Sequence, residues 1–323
     1  MNMHDDEGAL STVSKIVGVC LNPCIDRTVE IDAFVYGGMN RIRRARSDGS
    51  GKGVNVALAA RALGHEAACV GLLNENGGAM VEERLKAAGV ACGFAKAKGE
   101  VRTNLKVFDR SSQRITEINE SGKVPEETQL QQLEALVDRY AAWADVMVFT
   151  GSLPPGLPEE YYARLMAITE GRCRCVLDAE GKKLLSGLAL APALIKPNSY
   201  ELELVCGHKL KSLEEIERAG RSLLGLGAGL VAVSMGADGA MLIGQEGSWY
   251  APRVPVEVLS TVGAGDSMVV GLLHGLLQGL PLPKVLVMGV AAGTAAVVTE
   301  GTQLFDRAGF EAMLPRVHVE RLL

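Results

Sequence analysis

From residue 15 to residue 314, short apolar runs bounded by turn residues alternate with longer amphipathic stretches. A continuous apolar run of this length is the mark of a strand buried on both faces, and a helical stretch between two such runs is what a parallel crossover needs. Strands are expected at 15–21, 67–73, 146–149, 175–177, 193–195 and 230–233. Helices are expected at 56–63, 80–88, 128–144, 159–168, 213–224, 268–277, 285–298 and 307–314. This pattern leaves few folds open, and the expected one is a three-layer α/β/α arrangement with a mostly parallel central sheet. In two places the alternation breaks. Residues 28–34 and 41–47, joined through Tyr36-Gly37-Gly38, read as a hairpin, and residues 102–108 and 113–119 read as another. They are expected to form a small β-sheet lid, over about 27–47 and 101–120, set apart from the main sheet. A further hairpin is read at 239–243 and 249–251. The expected organisation is a disordered tail over 1–14 and one domain over 15–323.

Composition narrows the function. With 323 residues, 48% of them hydrophobic and 22% charged, the chain can bury a large core and is not of a disordered type. The net charge of −5, without a basic block, speaks against a nucleic-acid partner. Residues 1–14 are polar and lack an apolar h-region, so no secretion signal is expected. The longest apolar stretch, 285–298, is shorter than the roughly 20 residues of a membrane span. The 7 cysteines are odd in number and scattered, which argues for free thiols in a reducing cytoplasm. Cys20 and Cys24, or Cys173 and Cys175, lack zinc spacing and a histidine pair.

In parallel α/β sheets ligands collect at the carboxyl ends of the strands. Polar or glycine loops fall at five such expected ends, at Asn22, Gly151, Lys196, Ser234 and Gly263. The last of these, Gly263-Ala264-Gly265-Asp266, opens an apolar helix. A helix N-terminus offers unpaired N–H groups and the positive end of a dipole to an anion. Asp266 could simply cap that helix, or it could take a proton from a hydroxyl attacking a phosphate; the company of the other loops favours the base. Asn22 and Asp26 read either as contacts to ligand hydroxyls or as an Asx-turn closing the strand. Gly51-Lys52-Gly53-Val54-Asn55 opens another helix. It is not a Walker A loop, because Gly53 stands where Ser or Thr must follow the lysine. Nor is it a dinucleotide fingerprint, because Val54 holds the third glycine position. Lys52 puts a cation among bare amides, which suits an anion or a sugar. Arg41, Arg43, Arg44 and Arg46 fit a solvated strand face, and Asn198 with Glu201 fits a capping box.

Several stretches match one family in order: Leu21 to Asp26, Gly51 to Ala57, Arg102-Thr103-Asn104, Thr116 to Asn119, Gly151 to Gly156, Ile195 to Asn198 with Glu201, Val233 to Gly236, and Ser260 to Ser267. The chain resembles the ribokinase-like (PfkB-type) carbohydrate kinases, and within them the phosphosugar kinases typified by 1-phosphofructokinase. The resemblance implies transfer of the γ-phosphoryl group of ATP to a sugar hydroxyl, with Mg²⁺. It implies Asp266 as catalytic base and Gly263, Ala264 and Gly265 as the anion hole. It places Asn22, Asp26, Gly51, Asn55 and Ser152 on the sugar hydroxyls, and Arg41, Lys52 and Arg102 on the phosphate the substrate already carries. Lys196, Asn198, Ser234, Gly236, Thr261, Gly263 and Gly265 fall on the ATP side, and Glu201 orders Mg²⁺ through water. The resemblance also implies a homodimer formed through the β-lid. Ser50, Thr150 and Cys24 depart from the common pattern without touching the chemistry.

A neutral sugar needs no cation in its pocket, whereas a phosphorylated one does. The expected acceptor is therefore a sugar phosphate, and the resemblance makes it a ketohexose phosphate: D-fructose 1-phosphate first, tagatose 6-phosphate second, fructose 6-phosphate third. A non-catalytic sugar-phosphate sensor would have lost the base or the Gly-Ala-Gly loop, and both are intact. A nucleoside kinase would not need the cations around Lys52.

Overall fold

The structure, a computed structural model, describes residues 13–169 and 171–322. Residues 1–12 of the expected tail lie outside the described residues. Ser14 is buried, and its amide donates to His65 Nδ1 at 3.3 Å.

The main sheet is built outward from β1 (Lys15–Cys20), which runs parallel to β4 (Glu66–Asn74) on one side and to β8 (Val146–Thr150) on the other. Side chains alternate across a strand. Ile16 and Cys20 enter one helix-covered core and Val17 and Val19 the other, which is why β1 reads as an unbroken apolar run. Beyond β4 lies β5 (Ala91–Glu100). Beyond β8 come β9 (Arg174–Asp178), β10 (Leu194–Ile195) and β11 (Val231–Ser234), all parallel. An antiparallel extension, β12 (Ala240–Gly244), β13 (Gly247–Ala251) and β14 (Glu320–Arg321), completes the order β14-β13-β12-β11-β10-β9-β8-β1-β4-β5.

One face is covered by α1 (Lys52–Ala62), α2 (Glu75–Ala87), α8 (Ala264–Leu277), α9 (Leu282–Val297) and α10 (Arg307–Met313). The other is covered by α3 (Glu127–Ala141), α4 (Tyr161–Ile168), α5 (Gly181–Leu188), α6 (Ser199–Cys206) and α7 (Leu213–Gly225). The stripe of α3, with Leu133, Val137 and Ala141, is fully buried, as its period of 3.6 requires. Among the described residues no helix is long and apolar enough to cross a membrane.

The two early hairpins are present and belong to one sheet. Strands β2 (Cys24–Ile31) and β3 (Ile42–Ser50) pair antiparallel, as do β6 (Arg102–Asp109) and β7 (Arg114–Asn119), and the parallel pairing of β2 with β6 joins them in the order β3-β2-β6-β7.

Three elements are not expected from the sequence: β5, α5 and the two-residue β14. The edge strand β5 carries lysines, glycines and alanines and no β-branched residue, so it lacks the composition of a buried strand. Gln129 of α3 donates to its Ala95 carbonyl at 3.0 Å. Helix α5 was hidden because its eight residues open on a glycine and lack a capping side chain. One expectation is corrected. Gly263 does not follow a strand, because residues 252–259 carry no strand pairing. That segment is pinned instead by the Leu259 and Ser260 amides, which donate to the Val297 carbonyl at 2.8 and 3.2 Å.

Candidate active site

Close helix–strand packing brings the glycine loop of α1 to the end of β1. A Cβ on Gly18 would lie 2.1 Å from the Gly53 carbonyl oxygen, and one on Gly53 would lie 2.7 Å from the Val19 carbonyl carbon. Gly53 is therefore needed for contact with β1, which explains why no Ser or Thr follows Lys52. Gly51 caps the helix at φ 145°, a conformation that favours glycine. Lys52 and Asn55, in the first turn, reach a cavity of about 920 Å³ between the main sheet and the inner face of the small one.

Asp266 lies on the cavity wall in the first turn of α8, whose N-cap Gly263 has φ 77°. It is 4% exposed, and Asn55 Nδ2 donates to its Oδ2 at 2.8 Å. Burial, helped by the charge of Asp178, pushes its carboxyl up to about 6, against the pull of Lys52, Asn55 and Lys196. Gly263 and Gly265 line the cavity with it, and Thr261 stands beside them. Ala264 does not share that wall: its amide donates to the Thr261 carbonyl at 3.4 Å, and its side chain packs against the core.

The end of β9 supplies a residue the sequence reading did not select. Asp178 is buried, with Oδ2 3.2 Å from Lys52 Nζ and Oδ1 3.2 Å from Lys196 Nζ, and Thr150 Oγ1 donates to Oδ2 at 2.8 Å. Burial alone would push it upward; Lys196, Lys52 and the Thr150 hydroxyl overcome this and hold it well below the ordinary carboxylate value. Asp178 in turn raises Lys52 above the usual lysine value. A polar residue closing an apolar strand was the available signal, the same one that pointed to Ser234 and Lys196. A Cβ on Gly265 would lie 3.4 Å from Lys196 Nζ, so this cation sits against the N-terminus of α8. Lys52, expected at the substrate's resident phosphate, lines the cavity and belongs to the cluster around Asp178, close enough to Asp266 to lower its proton affinity.

Asn198 and Glu201, expected on the ATP side, form the reciprocal capping box of α6. The Glu201 amide donates to Asn198 Oδ1 at 2.8 Å and the Asn198 amide to Glu201 Oε2 at 2.9 Å. Both line the cavity with Ser234, whereas Gly236, in the turn beyond, does not.

Among the residues expected on the sugar, Asn22 Nδ2 donates to the Ser121 carbonyl at 3.0 Å and to Ser152 Oγ at 3.2 Å, so its side chain bridges distant loops rather than closing an Asx-turn. Arg102 lines the cavity, but Nε and Nη2 donate to the Asn22 carbonyl at 3.1 and 3.0 Å. Its Nη1 donates to Asn104 Oδ1 and the Glu120 carbonyl, both at 3.0 Å. Most of its fork is thus spent on holding the loops together. Arg41 is exposed and outside the cavity walls in this chain, because its stretch runs along the far hairpin. Asp26 is buried under the small sheet and paired with Lys106, a cation the sequence reading did not select. Burial and the Asp26 charge push the Cys24 thiol up to about 12, so it is an S–H donor to Asp26 Oδ1 at 3.6 Å.

A buried carboxylate with raised proton affinity, two lysines and a helix N-terminus around one cavity form a site for moving an anionic group onto a hydroxyl. The fold and this site define a sugar kinase of the α/β class. Residues 16–307 match the model of the pfkB family carbohydrate kinases, and the chain belongs to that family. It is 36% identical over 310 residues to a 1-phosphofructokinase of Rhodobacter capsulatus, covering 95% of this chain and 98% of the relative. Identity to a 1-phosphofructokinase of Escherichia coli K12 is 31% with the same coverage. Among solved structures, phosphofructokinase-2 of Escherichia coli in complex with substrates and products superposes with a TM-score of 0.88 at 29% identity, over 94% of this chain and 99% of that one. The protein is a phosphotransferase.

Proposed function

We propose that the chain transfers the γ-phosphoryl group of ATP to D-fructose 1-phosphate, giving fructose 1,6-bisphosphate. The observation that carries this reading is the placement of Asp266 at the α8 N-terminus beside the Lys52–Asp178–Lys196 cluster. The names of the full-length relatives support fructose 1-phosphate as the acceptor. In this mechanism the sugar hydroxyl lies between Asp266 and the γ-phosphate. Asp266 accepts its proton as attack proceeds, and Asn55 fixes the Oδ2 that does not move. The Gly265 amide at the N-terminus of α8, with Lys52 and Lys196, meets the charge on the phosphoryl oxygens. Asp178 pairs with both ammonium groups and so fixes their positions, and its charge raises the proton affinity of Lys52.

Mg²⁺ fits the donor set here. Asn198, Glu201 and Ser234 line the cavity with oxygen donors, as suits an ion that keeps its waters and leans on phosphate oxygens. Glu201 has one carboxylate oxygen committed to the capping box and would hold the ion through water; when bound, the ion would neutralise charge on the nucleotide phosphates.

Asn22, Asp26, Gly51, Asn55 and Ser152 line the end of the cavity assigned to the sugar, and Asn198, Ser234, Thr261 and the loop glycines the end assigned to ATP. The small sheet acts as a lid over both. Its rim exposes Tyr36, Met39, Ile42 and Ile118, at 96%, 78%, 52% and 56%, which supports pairing of two lids in a homodimer. Free cysteines support a cytoplasmic setting.

The test is steady-state kinetics with ATP and D-fructose 1-phosphate, tagatose 6-phosphate and fructose 6-phosphate. The highest kcat/KM is expected for fructose 1-phosphate. An equal or higher value for either of the others overturns the substrate assignment. Sedimentation velocity reports the dimer.

A further inference from the structure

On the inner face of the small sheet, Asp26 of β2 and Asn104 and Lys106 of β6 point into the cavity. Leu105 and Val107 face the other way, into a small apolar cluster with Val29 and Ile31. Lys106 is 5% exposed and Asp26 3%. Lys106 Nζ lies 3.1 Å from Asp26 Oδ2, the ion pair this lysine makes among the described residues. Asp26 Oδ1 accepts from Asn104 Nδ2 at 3.2 Å and from Cys24 at 3.6 Å.

A buried ion pair is a poor way to hold two strands together, because desolvation offsets most of the Coulomb gain. Strands β2 and β6 do not need it: their parallel ladder runs from Cys24 opposite Arg102 to Ile31 opposite Asp109. The consequence of the pair falls inside the cavity. Without the ammonium, the Asp26 carboxylate would be left buried against one amide and one thiol, free to turn about its side-chain bonds. With it, Oδ1 is saturated by two donors and Oδ2 is held by one. Each carboxylate oxygen has two acceptor directions, so Oδ2 keeps one for a ligand. The acceptor for a sugar hydroxyl is therefore aimed by the small sheet rather than by the main domain.

We propose that Lys106 is a positioning residue for sugar recognition, holding the Asp26 carboxylate in the orientation that accepts a hydroxyl of the ketohexose phosphate. The proposal rests on the functional reading above. The charges that act on Asp266 are those of Lys52, Asp178 and Lys196, so the effect of Lys106 falls on binding of the acceptor and not on the phosphoryl step.

The test compares wild type, Lys106→Met, Lys106→Arg, Asp26→Asn and the Asp26→Asn/Lys106→Met double variant, each as the full chain. Lys106→Met is expected to raise the acceptor KM by about 30-fold, the loss ordinarily seen when a buried charged hydrogen-bond partner is removed. Its kcat and its KM for ATP are expected to stay within about threefold, because ground-state binding alone is weakened. Lys106→Arg should recover most of the loss. In the double variant the two effects should fall well short of adding, since Lys106 acts through Asp26. If Lys106→Met is insoluble, Lys106→Gln removes the charge and is read in the same way, with ATP binding by calorimetry as the check on folding. An unmoved acceptor KM, an equal rise in KM for ATP, or additive effects in the double variant each overturn the proposal; additivity would give Lys106 a contact of its own with the substrate. Wild type inactive on all three ketohexose phosphates would refute the functional reading and this inference with it. Wild-type activity with an unmoved variant KM would refute this inference alone.

Discussion

Replacing Asp266 by Asn should remove activity and make the protein more stable at neutral pH. The carboxyl is 4% exposed and its proton affinity is raised from an ordinary 3.8 to about 6, chiefly by burial. The native state therefore binds this proton more tightly than the unfolded chain does. The stabilisation that follows is complete below pH 3.8 and is lost as the pH rises through about 6. Above that, keeping Asp266 ionised costs the fold about 3 kcal/mol, taking ~1.4 kcal/mol per pH unit. Asn is isosteric and neutral, and its carbonyl can still accept from Asn55 Nδ2. The variant should gain up to about 3 kcal/mol at pH 7.5, which for a chain of this length is about 4 °C in Tm. The gain should shrink to nothing near pH 4. Turnover, followed by direct quantitation of ADP, should fall by about 10²–10⁴, the ordinary contribution of a positioned base. Wild-type kcat/KM should fall about tenfold per pH unit below its half-point near 6, because only the ionised carboxylate accepts the proton. A variant that melts below wild type at pH 7.5 would refute the burial argument. One that keeps a tenth or more of wild-type turnover would refute the assignment of the base.

Three further outcomes follow from the packing and the charges. Asp178→Asn leaves Lys52 and Lys196 without their shared carboxylate and should cost about 3–5 kcal/mol in urea unfolding. It should also move the acid limb of kcat/KM below 6, since the Asp178 charge raises Asp266; an unmoved limb would break the link between the two. His65 and His274 are buried with Nε2 of the first 2.9 Å from Nδ1 of the second, and burial lowers both, His274 to about 4. Their neutral forms belong to the fold, so this stability is complete above pH 6.5 and lost as the pH falls toward 4, about 3 kcal/mol for His274. Melting temperatures of wild type and His274→Gln should converge on going from pH 7 to pH 4.5, and parallel curves would refute this. Gly18→Ala puts a methyl 2.1 Å from the Gly53 carbonyl and must push α1 off β1. It should lower stability by about 1–3 kcal/mol, as overpacking does, and raise the acceptor KM through displaced Asn55; a wild-type melting temperature would show that α1 can shift freely.

The sequence determined the layer architecture. Strands buried on both faces must be apolar throughout, and helices on a sheet must carry a stripe, so β1, β4, β8, β11 and α3 were readable from period and composition. It also marked the strand-end loops, because only polar or glycine residues suit chain that must turn at a sheet edge. Strand β5 and helix α5 were not readable: each draws its stability from what packs on it, Gln129 and α3 in one case and the core beneath Leu184 in the other. Charges were the least legible part. Lysines and arginines announce themselves in a sequence, but their partners do not. Arg102 read as a phosphate ligand and is mostly occupied by carbonyls, Arg41 read the same way and lies outside the cavity, and Lys106 drew no notice although it is buried beside Asp26. The Lys52–Asp178–Lys196 cluster joins the start of α1, the end of β9 and the loop after β10. Only the tertiary structure brings those three within ion-pairing distance, and only burial, which a sequence does not state, turns Asp266 from a possible helix cap into a carboxylate poised near pH 6.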